Sequence, residues 1–155
     1  MNKKDTVVFD LDGTLLDTLE DLKNSVNYAM TQCGYPEHTL DEVRRYVGNG
    51  ILLLMQRAIP GGKDDPNFDK AFTLFKEHYG KHCNDTTKPY AGIMELLHTL
   101  KENNIKIAIV SNKADFAVKE LNAIYFKDLI LVAIGEKESE GIRKKPAPDT
   151  VIEAL

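Results

Sequence analysis

Three short apolar runs, each ending at a polar turn, constrain the fold of this chain more than any other feature. They are rich in β-branched and aromatic residues, as buried strands are, and they cover residues 6–9, 105–110 and 129–134. Helical spacing of apolar residues occupies 93–100, before the second run, and 114–123, between the second and the third. Because strands alternate with helices, the pattern predicts an α/β fold built on a parallel, doubly wound sheet.

The long stretch between the first two runs differs, because it shows helical patterns and no convincing strand. Thr39 and Glu42 have the spacing of a capping box at the start of a short helix. Residues 68–79 carry a stripe of aromatic side chains, which indicates the packed face of another helix. The predicted domains are therefore a core, at 1–16 and 89–155, and an inserted α-helical cap, at 17–88.

The acidic segment Asp10-Leu11-Asp12-Gly13-Thr14 follows the first predicted strand. Ligands of open α/β sheets bind at the carboxyl ends of strands, so we expect Asp10 and Ser111, which follows the second strand, to face one crevice. Two carboxylates this close favour a bound divalent cation. One of them can then attack phosphorus while the other transfers a proton. A calcium loop of the EF-hand kind does not fit, since it needs a preceding helix and a glycine at its sixth position, so a plain acidic turn is the open alternative.

The composition narrows the class of partner. With 155 residues, of which 43% are hydrophobic, and a net charge of -4, we expect a globular protein without a nucleic-acid or membrane partner. No stretch approaches the roughly 20 apolar residues of a membrane span, and the first residues lack a secretory pattern. Cys33 and Cys83 are too few for a disulfide framework and match no metal spacing. These features predict a cytoplasmic protein.

Three segments together resemble the motifs of the haloacid dehalogenase-like superfamily. The segment from Asp10 to Thr14 resembles the first motif, Val110-Ser111-Asn112-Lys113 the second, and Lys145-Pro146-Ala147-Pro148-Asp149 the third, in the expected order. The predicted cap lies where the superfamily inserts its first type of cap. Within the superfamily, Gly48-Asn49-Gly50 ahead of an apolar helix is similar to phosphoglycolate phosphatase-like members, although a plain turn between helices would explain it equally well.

The resemblance implies a Rossmann-like parallel core and a Mg²⁺-dependent phosphatase of small phosphorylated metabolites, such as phosphoglycolate-like monoesters, which acts through an aspartyl phosphate. Asp10 would be the nucleophile, and Asp12 would act as general acid and then as general base. Ser111, Asn112 and Lys145 would bind the phosphoryl group, with Lys145 also neutralising the nucleophile. Mg²⁺ would be held by Asp10 and by the main-chain carbonyl of Asp12.

One motif of the superfamily is missing from the sequence. The fourth motif, an acidic stretch that supplies a further carboxylate to Mg²⁺, does not follow Lys145, and the sequence reaches Leu155 soon after the predicted start of a helix at residue 147. We therefore expect a C-terminally incomplete core, weak Mg²⁺ binding and slow turnover. Two alternatives stay open, a β-phosphoglucomutase-like phosphomutase and a non-catalytic fragment or pseudoenzyme, and the oligomeric state does not follow from the sequence.

Two further groups of residues, a pair of histidines and a basic run, have simpler interpretations than a functional site. His78 and His82 stand one helical turn apart beside Cys83, which is compatible with a metal site, but we expect exposed residues at a fraying helix end instead. The basic run 143–145 is expected to be a solvated loop, apart from the role assigned to Lys145.

Overall fold

The computed structural model describes residues 4–155. The strands are β1 (Thr6–Phe9), β2 (Leu16–Asp17), β3 (Lys88–Pro89), β4 (Lys106–Ala114) and β5 (Val132–Glu136). The helices are α1 (Leu19–Gln32), α2 (Leu40–Tyr46), α3 (Ile51–Ala58), α4 (Phe68–His82), α5 (Ile93–Glu102), α6 (Asp115–Tyr125) and α7 (Asp149–Ala154). None of the helices in the described range is long and apolar enough to cross a membrane.

The chain divides into two compact units. One consists of residues up to Leu16 together with Pro89–Leu155, and the other is Asp17–Lys88. The boundaries fall within β2 and β3, which pair with each other as a small two-stranded sheet. These two strands lie at positions for which the sequence predicts none, since each has only two residues and no recognisable pattern.

The first unit is built on a three-stranded parallel sheet in the order β1-β4-β5. Helix α5 packs on β4, while α6 and α7 each pack on β4 and β5. Leu97, Ile109 and Leu121 join these layers in one buried cluster. Each such fully buried side chain contributes roughly 1.5–3 kcal/mol. The predicted α/β fold with a parallel sheet is confirmed, and its carboxyl edge brings together the residues that end β1 and β4.

The predicted strand at 129–134 is wrong in its first half. The main-chain N–H groups of Leu129 and Ile130 both donate to the carbonyl of Phe126, so these residues close a turn after α6. Ile130 is buried in that turn, whereas Leu131 is 89% exposed, and β5 begins only at Val132. An apolar run alone does not distinguish a buried turn from a strand.

The second unit is helical, with α1 packed on α4 and α2 and α3 beside them. Its core contains Val26, Met30, Met55 and Phe75, all fully buried. The predicted capping box at the start of α2 is confirmed. The Thr39 hydroxyl accepts from the N–H of Glu42 at 3.2 Å, and the Glu42 carboxylate accepts from the N–H of Thr39 at 2.7 Å.

A buried carboxylate ties α1 to the end of this unit. Asp21 is 2% exposed, and its oxygens accept hydrogen bonds from the N–H and hydroxyl groups of both Thr86 and Thr87 at 2.8–3.1 Å. Burial by itself would raise the pKa of Asp21, but these hydrogen bonds outweigh it and hold the pKa below its usual value. The charged carboxylate therefore fixes the segment that leads into β3.

Candidate active site

Buried apolar side chains anchor the loop that follows β1. Leu11 and Leu15 are fully buried, and the Leu11 carbonyl accepts from the N–H of Leu15 at 3.0 Å. Gly13, at φ 76°, makes the sharp turn between them, a conformation that costs other residues about 1–2 kcal/mol. The anchored loop presents Asp10 as an exposed carboxylate and Asp12 as a half-buried one.

The end of β4 supplies the second part of the site. The regular pairing with β5 runs to Val110 and resumes only at Ala114, so Ser111 lies in an irregular segment of the strand. Ser111 is 3% exposed, and its hydroxyl accepts from the N–H of Lys113 at 3.1 Å. The Ser111 hydroxyl is therefore buried and is oriented by the main chain that follows it.

Lys145 joins these two segments. Its ammonium donates to the Asp10 carboxylate at 2.9 Å and to the Val110 carbonyl at 3.0 Å. The side-chain amide of Asn112 holds the main chain of Lys145, donating to its carbonyl at 3.2 Å and accepting from its N–H at 2.9 Å. Asp10, the end of β4 with Ser111, and Lys145, which are predicted to form one site, thus lie together. Asn112 positions Lys145, a use beyond the phosphate binding predicted for it.

The pair Asp10–Lys145 is partly exposed, with side-chain accessibilities of 44% and 30% respectively. Exposed ion pairs of this kind contribute about 0–1 kcal/mol to stability. We therefore attribute the arrangement to the chemistry of the site, since a carboxylate beside an ammonium can attack a group whose oxygen the cation holds.

Lys113 is a site residue to which the sequence assigns no role. Its ammonium lies 3.0 Å from the Asp12 carboxylate, and the two side chains are only 4% and 17% exposed. A signal for it exists, because a lysine in a buried strand needs a counter-charge nearby and Asp12 follows the neighbouring strand. Each of the two carboxylates therefore has its own ammonium.

Close contact of Gly135 in β5 with the end of β4 fixes the main chain around Lys113. Gly135 leaves no room for a side chain, because a Cβ there would lie 2.4 Å from Asp115 Cα and 2.5 Å from the Lys113 carbonyl oxygen. The Gly135 N–H donates to the Asp115 carboxylate at 2.9 Å. Burial by itself would raise the pKa of Asp115. The hydrogen bond from Gly135 and the Lys119 ammonium outweigh it and hold this pKa below its usual value.

The resemblance implies Mg²⁺ at Asp10 and Asp12. Among residues 4–155 no group of three or more His, Cys, Asp or Glu side chains could hold a metal ion. Mg²⁺ is commonly bound by one or two carboxylates with phosphate and water oxygens completing its shell. Exposed Asp10 oxygens at the strand end fit that kind of open shell.

The two histidines that are compatible with a metal site contact other side chains of the helical unit. His78 and His82 lie within α4, stacked with ring centroids 4.4 Å apart, and His78 Nδ1 is 2.8 Å from the hydroxyl of buried Ser25. The expectation of exposed residues at a fraying end is wrong for His78, because α4 continues past it to His82. Burial and the neighbouring His82 lower the pKa of His78.

The basic run 143–145 takes part in ion pairs at the surface. Arg143 donates from two guanidinium nitrogens to Asp149, the first residue of α7, at 2.7 and 2.9 Å. Lys144 lies 3.7 Å from Glu138. The run is thus a loop in which Arg143 is 73% exposed, as expected, and in which ion pairs lead directly to Lys145.

Comparison with known proteins identifies the family of the chain. Residues 7–155 match the family of haloacid dehalogenase-like hydrolases. The chain is 33% identical to phosphoglycolate phosphatase of Nitrosospira multiformis over 96% of its own length and 66% of that protein. It is 32% identical to phosphoglycolate phosphatase of Aquifex aeolicus, over 96% of this chain and 68% of the relative.

Solved structures give the same result. A candidate phosphoglycolate phosphatase from Lactobacillus delbrueckii subsp. bulgaricus superposes with a TM-score of 0.89 at 33% identity, covering 99% of this chain and 72% of that one. The chain spans about half to two-thirds of the length of the curated relatives it matches, for example 50% of the Thiobacillus denitrificans phosphoglycolate phosphatase. The predicted superfamily is confirmed, and the chain belongs to the haloacid dehalogenase-like hydrolases.

Proposed function

We propose that this chain is a phosphatase that hydrolyses small phosphate monoesters through an aspartyl phosphate on Asp10. The observation that supports this most is the contact of 2.9 Å between the Asp10 carboxylate and the Lys145 ammonium, at the carboxyl edge of the sheet and beside Ser111. Relatives named phosphoglycolate phosphatase support a small phosphorylated acid as the substrate.

The proposed reaction has two steps. In the first, an oxygen of Asp10 attacks phosphorus, the bond from phosphorus to the ester oxygen breaks, and Asp12 gives a proton to the departing oxygen. In the second, Asp12 takes a proton from water while the water oxygen attacks phosphorus. The bond to Asp10 then breaks, which releases inorganic phosphate and restores both side chains.

The remaining residues stabilise charge on the phosphoryl group. Lys145 and the Ser111 hydroxyl supply a cation and a donor where negative charge collects in the transition state. Asn112 keeps Lys145 in place through its two hydrogen bonds to the lysine main chain. Fixed donors of this kind need no reorganisation during the reaction, which is why they are effective.

Mg²⁺ is part of the proposal. Asp10 and the main-chain carbonyl of Asp12 would hold it, and when bound it would neutralise charge on the phosphoryl oxygens. We also propose that the substrate is a small metabolite, with neither nucleic acid nor membrane as partner, and that the protein works in a reducing compartment such as the cytoplasm, since Cys33 and Cys83 are free thiols.

Phosphate release tests the proposal. The 155-residue chain is assayed with MgCl₂ on phosphoglycolate and on p-nitrophenyl phosphate, beside Asp10→Asn and the matched control Asp128→Asn, an exposed aspartate outside the site. We expect Asp10→Asn to lose at least ~10³-fold in kcat and Asp128→Asn to stay within about two-fold.

Three outcomes contradict the proposal. Equal hydrolysis by Asp10→Asn would exclude the aspartyl phosphate. Absence of phosphate release from either ester would favour the non-catalytic alternative. Transfer of the phosphoryl group to a sugar phosphate, without release of inorganic phosphate, would favour the phosphomutase.

A further inference from the structure

We propose that Lys113 is a positioning residue, which holds the Asp12 carboxylate in the orientation that proton transfer requires. This inference rests on the proposed phosphatase function, because it concerns the step in which Asp12 protonates the leaving oxygen. It adds to that function a residue that no motif role covers. Three observations support it: the ion pair, the burial of the lysine and the link from Lys113 to Ser111.

The ion pair is the direct contact. The Lys113 ammonium lies 3.0 Å from Oδ1 of Asp12, a distance typical of charge-assisted hydrogen bonds. One carboxylate oxygen is thus held by the lysine, which fixes the plane of the carboxyl group. The direction in which the second oxygen points is then determined by the protein and not by solvent.

Burial makes this contact persistent. The side chain of Lys113 is 4% exposed and that of Asp12 is 17% exposed. An ammonium removed from water is strongly disfavoured away from a counter-charge, so Lys113 keeps its carboxylate partner. The exposed pair Asp10–Lys145 differs, since its members can be solvated when a substrate separates them.

Lys113 also connects the two halves of the site. While its side chain reaches Asp12, its main-chain N–H donates to the Ser111 hydroxyl at 3.1 Å. The main chain of Lys113 is confined in turn, because Gly135 approaches its carbonyl too closely for any Cβ. The proton-transferring carboxylate and the phosphate-binding hydroxyl are therefore placed by the same rigid residue.

A purely structural role predicts a different result from a positioning role. Proton transfer to the leaving oxygen matters for a poor leaving group and little for a very good one. If Lys113 orients Asp12, its removal should slow the cleavage of alkyl esters more than that of activated aryl esters. If it only stabilises the fold, all esters should be affected alike.

The first experiment measures kcat/KM, which reports the steps up to formation of the aspartyl phosphate. Lys113→Met is compared with the unaltered chain and with Lys127→Met, an exposed lysine outside the site. We expect Lys113→Met to lose about 100-fold on phosphoglycolate and less than about 10-fold on 2,4-dinitrophenyl phosphate. Lys127→Met should not change either value by more than about two-fold.

Two results of this experiment would overturn the inference. They are equal losses on both esters and no loss on either. Both differ from failure of the proposed function, in which the unaltered chain would release no phosphate or Asp10→Asn would remain active.

The second experiment needs no turnover. The melting temperature is measured for Asp12→Asn, Lys113→Met and the double variant. We expect Asp12→Asn to lower Tm by about 4–8 °C when Lys113 is present, because the substitution removes the carboxylate beside a buried ammonium. In the Lys113→Met background the same substitution should lower Tm by about 1 °C or less. The same decrease in both backgrounds would show that the two side chains are not coupled, and it would overturn the inference even if no ester were hydrolysed.

Discussion

Gly135 shows how one residue in β5 controls a site built on β4. It has no side chain, and this lets the strand lie against Lys113 and Asp115, where a Cβ would come within 2.4–2.6 Å of main-chain atoms. Main-chain atoms cannot rotate away as a flexible side chain can. Any substitution must therefore displace the segment that orients Ser111 and the Lys113 ammonium.

We predict that Gly135→Ala destabilises the protein by roughly 2–3 kcal/mol and lowers phosphate release together with stability, because the strand end must move. Urea unfolding and the phosphate assay measure the two effects. Gly80→Ala is the matched control. Gly80 lies in α4 with open space around its Cβ position, so alanine should stabilise the helix by up to about 1 kcal/mol. Equal stability of the two variants would contradict the role of Gly135.

At the scale of single elements, α1 and α4 are joined by polar contacts as well as by their apolar faces. Ser25 in α1 is fully buried and its hydroxyl lies 2.8 Å from His78 in α4, where Tyr28 stacks on the same imidazole with ring centroids 4.5 Å apart. Because the pKa of His78 is lowered in the folded chain, the imidazole is neutral there at pH values where the unfolded chain takes up a proton.

The unfolded chain thus binds more protons than the folded one between the lowered pKa of His78 and its ordinary value near 6.5, so stability rises with pH across this window. We predict that Tm falls as the pH is lowered from about 7 into this window. His78→Gln keeps a polar partner for Ser25 without the titration and should flatten the dependence. The same slope in both proteins would refute the assignment to His78.

The elements also show which features a sequence can predict. The capping box of α2 depends on Thr39 and Glu42, three residues apart, so local spacing was enough to predict it. The hydrogen bonds of Asp21 come from Thr86 and Thr87, 65 and 66 positions away, and no local pattern reveals them. The candidate active site is intermediate, because some of its residues are predictable from the sequence and others are not. Asp10 and Ser111 are expected to lie close because each follows a predicted strand, and Lys145 is added through the resemblance. The partner of Lys113 can be assigned only once β4 is placed beside the loop after β1.

At the scale of the whole molecule, bound Mg²⁺ should act on unfolding as well as on catalysis. A cation that binds only the folded chain raises the free energy of unfolding by about 1.4 kcal/mol when its concentration is ten times Kd. We predict a higher Tm in MgCl₂ than in NaCl of equal ionic strength, and loss of this difference in Asp10→Asn. Calorimetry measures it, and an equal Tm in both salts would argue against a site at Asp10.

The pairing of β1 with β4 has a consequence for synthesis on the ribosome. Thr6 pairs with Lys106, one hundred positions later in the sequence, so residues 10–105 must be translated after β1 before its neighbour in the sheet exists. During that interval the whole of Asp17–Lys88 is made, and its buried cluster draws only on its own residues. We therefore expect the inserted helices to collapse first, while the strand that leads to Asp10 remains unpaired and open to chaperones.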